Sequence, residues 1–114
     1  MATFTAGAVV LVSFPFSDLS KTKLRPAVVL AEVGRNDYIL CQVTSKPYAD
    51  LTAIEINDKR LKEGSLQRIS YARPGKLFTA NAQLIVKQVG ILKSEVQREV
   101  VEAVVKIIRS GLEK

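Results

Sequence analysis

Residues 8–44, AVVLVSFPFSDLSKTKLRPAVVLAEVGRNDYILCQVT, decide the fold. Three apolar, β-branched runs in this stretch predict strands over residues 8–14, 26–32 and 38–44. A polar loop over residues 15–25 separates the first two strands, and a turn separates the second from the third. Strands this short and this closely spaced are typical of an antiparallel barrel or sandwich.

The same pattern continues for another forty-five or so residues. Further short apolar runs predict strands over residues 51–56, 67–73, 76–79 and 84–89. The polar stretch 57–64 is expected to be a loop, and Pro74 and Gly75 are expected to form a turn. Several runs are apolar at consecutive positions, which indicates strands covered on both faces, by a helix or by a second subunit. We therefore predict a mainly β fold in a single domain over residues 1–114.

The C-terminal segment changes its period. From Ser94 onward, apolar residues recur at helical spacing: Val96, Val100, Val104, Ile107 and Ile108. Ser94 and Gln97 fit a capping box, and Gly111 is the expected end of the helix. The pattern predicts one amphipathic C-terminal α-helix packed on the barrel.

Charge indicates the kind of partner. The chain has 17 basic and 11 acidic residues, and this net charge of +6 favours nucleic acid or an acidic peptide as a partner. The basic residues concentrate in segments 17–25 and 58–76, whereas segment 94–114 has four basic and four acidic side chains. We expect the positive field to belong to the loops of the first two-thirds of the chain.

Several features predict a cytoplasmic protein. The longest apolar run, residues 27–31, is far too short to span a membrane, and no basic stretch followed by an apolar segment marks a signal peptide. Cys41 is the only cysteine, so the chain cannot form an internal disulfide. Cys41 lies within an apolar segment, where a buried small hydrophobe is a better interpretation than a reactive thiol.

Residue types restrict the chemistry further. The chain has no histidine and one cysteine, and its carboxylates are dispersed, so we expect neither a metal site nor a cofactor. An enzyme built from this sequence must use Arg, Lys, Ser, Thr, Tyr, backbone amides and at most one carboxylate. Transphosphorylation within RNA is compatible with that set, because the 2′-OH nucleophile belongs to the substrate. An arginine is then needed to hold two phosphate oxygens at once.

Several motifs resemble one known family in their order and spacing. They are GAVVLV (residues 7–12), FPFSD (14–18), KLRPAVVL (23–30), QVTS (42–45), SYARP (70–74) and KLFT (76–79). Together they resemble the MazF/PemK toxins over nearly the whole chain, from about residue 6 onward. The resemblance implies an SH3-like barrel of short antiparallel strands, of the type called the PemK/MazF plug, with a C-terminal α-helix. It also implies a homodimeric, metal-independent endoribonuclease that cuts single-stranded RNA and is inhibited by a small acidic antitoxin.

The resemblance also implies roles for individual residues. Arg25 matches the arginine of the family's Arg-Pro element and is expected to stabilise the transition state at the scissile phosphate. Thr44 matches the threonine at the end of the third strand and is the second expected catalytic residue. Ser45 is expected to contact RNA beside it. The remaining expected RNA-binding residues are Lys21, Lys23, Arg73 and Lys76.

The sequence also departs from the family pattern. Many relatives have acidic residues at the positions of Ala8 and Gly75, and some have a histidine in the first loop. The general base is therefore open between Arg25, Asp18 and a positioned water. These departures favour one alternative function, a non-catalytic SH3-like module that binds RNA or the antitoxin and has lost cleavage.

Overall fold

A computed structural model of the chain describes residues 3–15 and 22–113. Within these residues the chain forms seven strands and one α-helix, with three short 3-10 segments between or after them. The strands are β1 (Ala8–Pro15), β2 (Thr22–Glu32), β3 (Asp37–Thr44), β4 (Ile54–Ile56), β5 (Leu61–Gly64), β6 (Ser70–Asn81) and β7 (Ile85–Leu92); the helix is α1 (Ser94–Ser110).

All the strands join one antiparallel sheet in the order β4-β6-β3-β2-β1-β7-β5. The sheet is strongly curved and forms a nearly closed barrel, with α1 following the last strand. The predicted mainly β fold with a C-terminal helix is therefore confirmed. In the described residues no helix has the length and apolar character that crossing a membrane requires.

The central strands are buried on both faces, as their consecutive apolar residues predict. Val9 belongs to a cluster that α1 closes with Val96 and Val100, whereas Val10 belongs to a second cluster that contains Tyr38. Each fully buried valine contributes about 1.5–3 kcal/mol. Both clusters are built from this chain alone, so burial of the two faces does not itself require a second subunit.

Strand β6 differs from the prediction. Two strands over residues 67–73 and 76–79 with a turn between them were expected, but Ser70–Asn81 is one continuous strand, and the predicted turn is wrong. Pro74 lies in its interior and is fully buried. The ladder between β3 and β6 shifts register between Cys41 and Val43, which leaves Pro74 without a paired residue. A proline lacks an N–H donor, and such an irregularity accommodates it.

Two shorter strands also differ from the prediction. The fourth predicted strand, residues 51–56, is reduced to β4 because turns occupy its first residues. The stretch 57–64, expected to be a loop, contains β5, which pairs with β7. Only Leu61 of β5 is buried, so this edge strand has no apolar pattern that would reveal it.

Helix α1 begins and ends as predicted but is capped differently. It begins at Ser94 and ends at Ser110, before Gly111, and it buries Val96, Val100 and Val104. The predicted capping box is wrong, because the N-cap residue is Lys93 and makes no side-chain capping hydrogen bond. The side chain of Gln97 packs instead on Gly7, where an added Cβ would lie 2.7 Å from Oε1 of Gln97.

Candidate functional site

The pairing of β2 with β3 brings the two expected catalytic residues together. Ala27 of β2 pairs with Gln42 of β3. Because the two strands are antiparallel, Arg25, two residues before Ala27, lies beside Thr44, two residues after Gln42. Both side chains are half-buried and both line one cavity of about 440 Å³. Strand pairing, which the sequence pattern alone does not specify, thus accounts for their convergence.

The cavity lies between the strand ends and the loop that connects β5 to β6. Its apolar part includes Leu11, Val43 and Val89, which come from β1, β3 and β7. The loop, residues 65–69, contributes its first four residues to the lining. A volume of this size lies within the range of small-ligand sites, about 300–1,000 Å³.

Four cationic side chains line the cavity: Lys23, Arg25, Arg68 and Lys87. None of its described lining residues is acidic. Hydroxyl groups accompany them at Thr44, Ser45, Ser65 and Ser70. Several cations that face one concave space create a positive potential that attracts an anion. A guanidinium and hydroxyl groups together can bind the oxygens of a phosphate.

The hydroxyl group of Thr44 is oriented by the backbone of Lys46, two residues later. Its Oγ1 accepts a hydrogen bond from the Lys46 N–H at 3.1 Å and donates to the Lys46 carbonyl oxygen at 3.3 Å. The second bond is long, so a phosphate oxygen can replace the carbonyl as the acceptor without disturbing the first. The turn after β3 therefore holds the oxygen of Thr44 at the cavity.

Of the expected RNA-binding residues, Lys23 and Ser45 lie at the cavity and both are exposed. Lys76 is an exposed residue of β6, and neither it nor Arg73 is part of the cavity lining. Lys21 lies outside the described residues, as does Asp18, one of the three candidates for the general base.

Arg73 has a different contact. Its Nε donates to Oδ2 of Asp50 at 2.9 Å, and both side chains are largely buried. Hydrogen bonds from Thr52 and from Arg73 lower the pKa of Asp50 to about 2. The pair ties the segment after Ser45 to β6, so Arg73 fixes the loop beside the cavity.

Two cationic lining residues, Arg68 and Lys87, were missed by the sequence analysis. Arg68 belongs to the 65–69 loop, and Lys87 lies on β7, where it pairs with Leu11 of β1. Arg68 belongs to the basic segment 58–76, so the sequence indicates its charge but not its place in the cavity lining. Lys87 stands alone between uncharged residues, and only the strand order reveals it.

The described part of the chain offers neither a reactive thiol nor a metal-binding cluster. Burial raises the pKa of the Cys41 thiol to about 12, so Cys41 is a buried, protonated side chain, as predicted. Over residues 3–15 and 22–113, no three Asp, Glu, His or Cys side chains lie close enough to hold a metal ion together.

A family model of the PemK-like, MazF-like toxins of type II toxin-antitoxin systems matches residues 5–108. The chain belongs to this family. The match covers nearly the whole sequence, including every strand and most of α1. It confirms the resemblance drawn from the sequence motifs. Comparison with curated proteins finds no match.

Solved structures agree with this MazF-like fold. A MazE-MazF structure from Deinococcus radiodurans has a TM-score of 0.72 at 16% identity, covering 95% of this chain and 97% of that one. A mycobacterial endoribonuclease in complex with its cognate antitoxin gives 0.71 at 10% identity, with 95% of each chain covered. The Mycobacterium tuberculosis toxin MazF-mt6 gives 0.65 at 17%, covering 85% and 91%. At these identities the likeness establishes the fold alone.

Proposed function

We propose that this MazF-like toxin is an endoribonuclease that cuts single-stranded RNA in the cytoplasm. The observation that carries the proposal is the meeting of Arg25 and Thr44 in a cavity whose described lining is cationic and has no carboxylate. RNA supplies one negative charge per nucleotide, and such a cavity attracts it. The similar mycobacterial structure is itself called an endoribonuclease.

The proposed reaction uses the 2′-OH of the substrate. Its oxygen forms a bond to the adjacent phosphorus while the bond from phosphorus to the 5′ oxygen breaks. The 2′ proton leaves to a base, for which Asp18, Arg25 and a water are the candidates. The 5′ oxygen takes up a proton from Arg25 or from water. Arg25 and Thr44 bind the phosphate oxygens as their charge increases. The products are a 2′,3′-cyclic phosphate and a 5′-OH.

End mapping of a cleaved mixed RNA tests this mechanism. We expect cleavage to persist in EDTA, to leave the 2′,3′-cyclic phosphate, and to stop when the cut site has 2′-deoxyribose. Cleavage of the deoxy substrate would refute the 2′-OH mechanism. Binding of RNA without any cleavage would support the alternative, a non-catalytic module, which the absence of carboxylates from the described lining also favours.

We further propose that an acidic antitoxin segment binds in the same cavity. The net charge of +6 and the cationic lining support this proposal, and two of the similar structures contain an antitoxin partner. An acidic, partly disordered peptide that folds on binding suits a positive groove. In a competition experiment we expect the peptide and RNA to displace each other. Simultaneous binding without loss of affinity would contradict a shared site.

We also propose that the toxin is a homodimer. Exposed apolar residues at the C-terminal end of α1 and in the 3-10 segment after it support the proposal. Val105 and Ile108, three positions apart on one face of α1, are 42% and 63% exposed, and Leu112 in the 3-10 segment is 80% exposed. Contiguous exposed apolar side chains are typical of interaction sites. Sedimentation should give a dimer for the wild type and for Lys106→Asp, an exposed control, and a monomer for Ile108→Asp. A wild type that sediments as a monomer at micromolar concentration would refute the dimer.

A further inference from the structure

Arg68 lines the same cavity as Arg25 and Thr44 but comes from a different part of the barrel. It belongs to the 65–69 loop between β5 and β6, whereas Arg25 and Thr44 lie at the ends of β2 and β3. Arg68 also borders a smaller depression of about 160 Å³ beside Asn57. Its exposed side chain therefore lies on the rim, where a bound chain would leave the cavity.

The loop is fixed on the N-terminal side of Arg68. Oγ of Ser65 donates to the carboxylate of Asp58, with the closer oxygen at 3.1 Å, and accepts the Gln67 N–H at 3.1 Å. The Ser65 N–H also donates to the Val89 carbonyl oxygen at 3.2 Å, which attaches the loop to β7. The Ser65 hydroxyl thus connects the residue before Arg68 to Asp58, and the Ser65 backbone attaches the same loop to β7.

The loop is also fixed on the C-terminal side of Arg68. Ser70, the only buried polar side chain among the described residues, donates from Oγ to the carbonyl oxygen of Arg68 at 3.1 Å. Between the two serines, Gln67 has a φ of +66°, a left-handed conformation that costs a residue other than glycine about 1 kcal/mol or more. The surrounding bonds hold this conformation and thereby set the direction in which Arg68 leaves the backbone.

No carboxylate of the described residues pairs with the guanidinium of Arg68. The ion pairs among these residues are Arg60 with Glu99 and Arg73 with Asp50. Asp58, which lines the smaller depression together with Arg68, is hydrogen-bonded to Ser65. A cation on a rigid backbone at the rim of a cationic cavity has the properties of a preorganised phosphate ligand.

We propose that Arg68 binds a phosphate of the RNA other than the scissile one, and that Ser65 positions Arg68 for this contact. The inference rests on the proposed ribonuclease function and deepens it, because it adds a second phosphate site to the cavity. Because Arg25 and Thr44 bind the reacting phosphate and Arg68 lies at the rim of the cavity, Arg68 contacts a neighbouring nucleotide. Its contact is equally strong in the ground state and in the transition state, so it contributes to substrate binding and not to the chemical step.

Steady-state cleavage of a short single-stranded RNA tests the role of Arg68. We expect Arg68→Ala to raise KM about tenfold and to change kcat less than threefold, because it removes uniform binding. The slope of log affinity against log salt should fall by about 0.7, the value for one phosphate contact on a single strand. Arg98→Ala is the matched control, since Arg98 is exposed on α1 and lies away from the cavity lining. Equal effects of the two variants would overturn the proposal, and so would a fall in kcat at unchanged KM.

A phosphate scan identifies the contact itself. In RNA oligonucleotides that carry 2′-deoxyribose at the cut site to prevent cleavage, one linkage at a time is replaced by an uncharged methylphosphonate, with 2′-deoxyribose on its 5′ side as well. We expect one position, away from the cut site, to lower affinity for the wild type but not for Arg68→Ala. If the scan is the same for both proteins, or if only the scissile position differs, the second phosphate site is refuted.

The positioning role of Ser65 requires a double-mutant cycle. Ser65→Ala should raise KM in the wild type but not in the Arg68→Ala background, with kcat preserved in both. Equal losses in the two backgrounds would show that Ser65 acts through general stability and overturn its positioning role. A wild type that cleaves RNA while Arg68→Ala binds normally refutes this inference alone, whereas a wild type that does not bind RNA refutes the ribonuclease function as well.

Discussion

Replacing Arg25 by alanine tests the assignment of the transition-state ligand. Arg25 is half-buried at the cavity, directly before Pro26, and the pairing of β2 with β1 matches it to Val12. This backbone fixes the origin of the side chain, so the planar guanidinium can present two N–H groups to phosphate oxygens. Loss of one preorganised donor of this kind costs about 3 kcal/mol of transition-state binding, which corresponds to a hundredfold or larger fall in rate.

Single-turnover cleavage at saturating protein measures this effect without the contribution of substrate affinity. Arg25→Ala should lower the rate at least a hundredfold, roughly, while its free energy of unfolding changes by less than about 1 kcal/mol. Arg25→Lys should recover little, because an ammonium group retains the charge but not the paired donors. Lys23→Ala is the control: Lys23 is exposed at the same cavity, and its loss should mainly weaken affinity. An Arg25→Ala variant within threefold of wild type, together with an inactive Lys23→Ala, would refute the assignment.

Three further predictions concern the Arg73–Asp50 ion pair and the loops around the site. If Arg73 acts through its ion pair, Asp50→Asn should reproduce the effect of Arg73→Ala on cleavage, whereas a direct RNA contact would make only Arg73→Ala lower affinity. Because the pKa of Asp50 falls from 3.8 to about 2 on folding, its contribution to stability should be complete above pH 4 and lost as the pH falls toward 2, measurable by urea unfolding. Gly64→Ala should destabilise the protein by well over about 1 kcal/mol, because φ is +88° and the added Cβ would lie 2.1 Å from the Val89 carbonyl oxygen. Gly34→Ala, at φ +98° with nothing within 4 Å, should cost less, and equal unfolding midpoints would contradict the clash.

The parts of the fold that the sequence predicted are those with strong apolar patterns. β1 and β3 match their predicted strands to within one residue, because both are buried on two faces and read as continuous apolar runs. The prediction for β2 began at residue 26, whereas the strand begins at Thr22. The residues before Pro26 form no apolar run, and Lys23 and Leu24 among them are exposed. α1 was predicted from its period, and Val96, Val100 and Val104 are buried as that period requires.

The errors arise where tertiary contacts replace local signals. Pro74 and Gly75 have the composition of a turn, yet they occupy an irregular part of β6 whose position only the register with β3 determines. The capping box at Ser94 has the right residue types, but Gln97 makes its contact with Gly7, more than eighty positions earlier in the chain. Local propensity is a weak indicator at such places, because packing against a distant segment is worth more than a cap or a turn preference.

The sequence predicts only some of the charged residues of the candidate site. Arg25 and Thr44 carry a family motif and could be named from the sequence, but Arg68 and Lys87 join them only through the curvature of the sheet and the return of the 65–69 loop. The division has a physical reason. A group that stabilises the transition state must be aimed from a rigid strand, whereas an ionic contact with a neighbouring phosphate tolerates several geometries. Cations that contact a neighbouring phosphate can therefore come from any element that reaches the rim of the cavity. Only the three-dimensional structure identifies them.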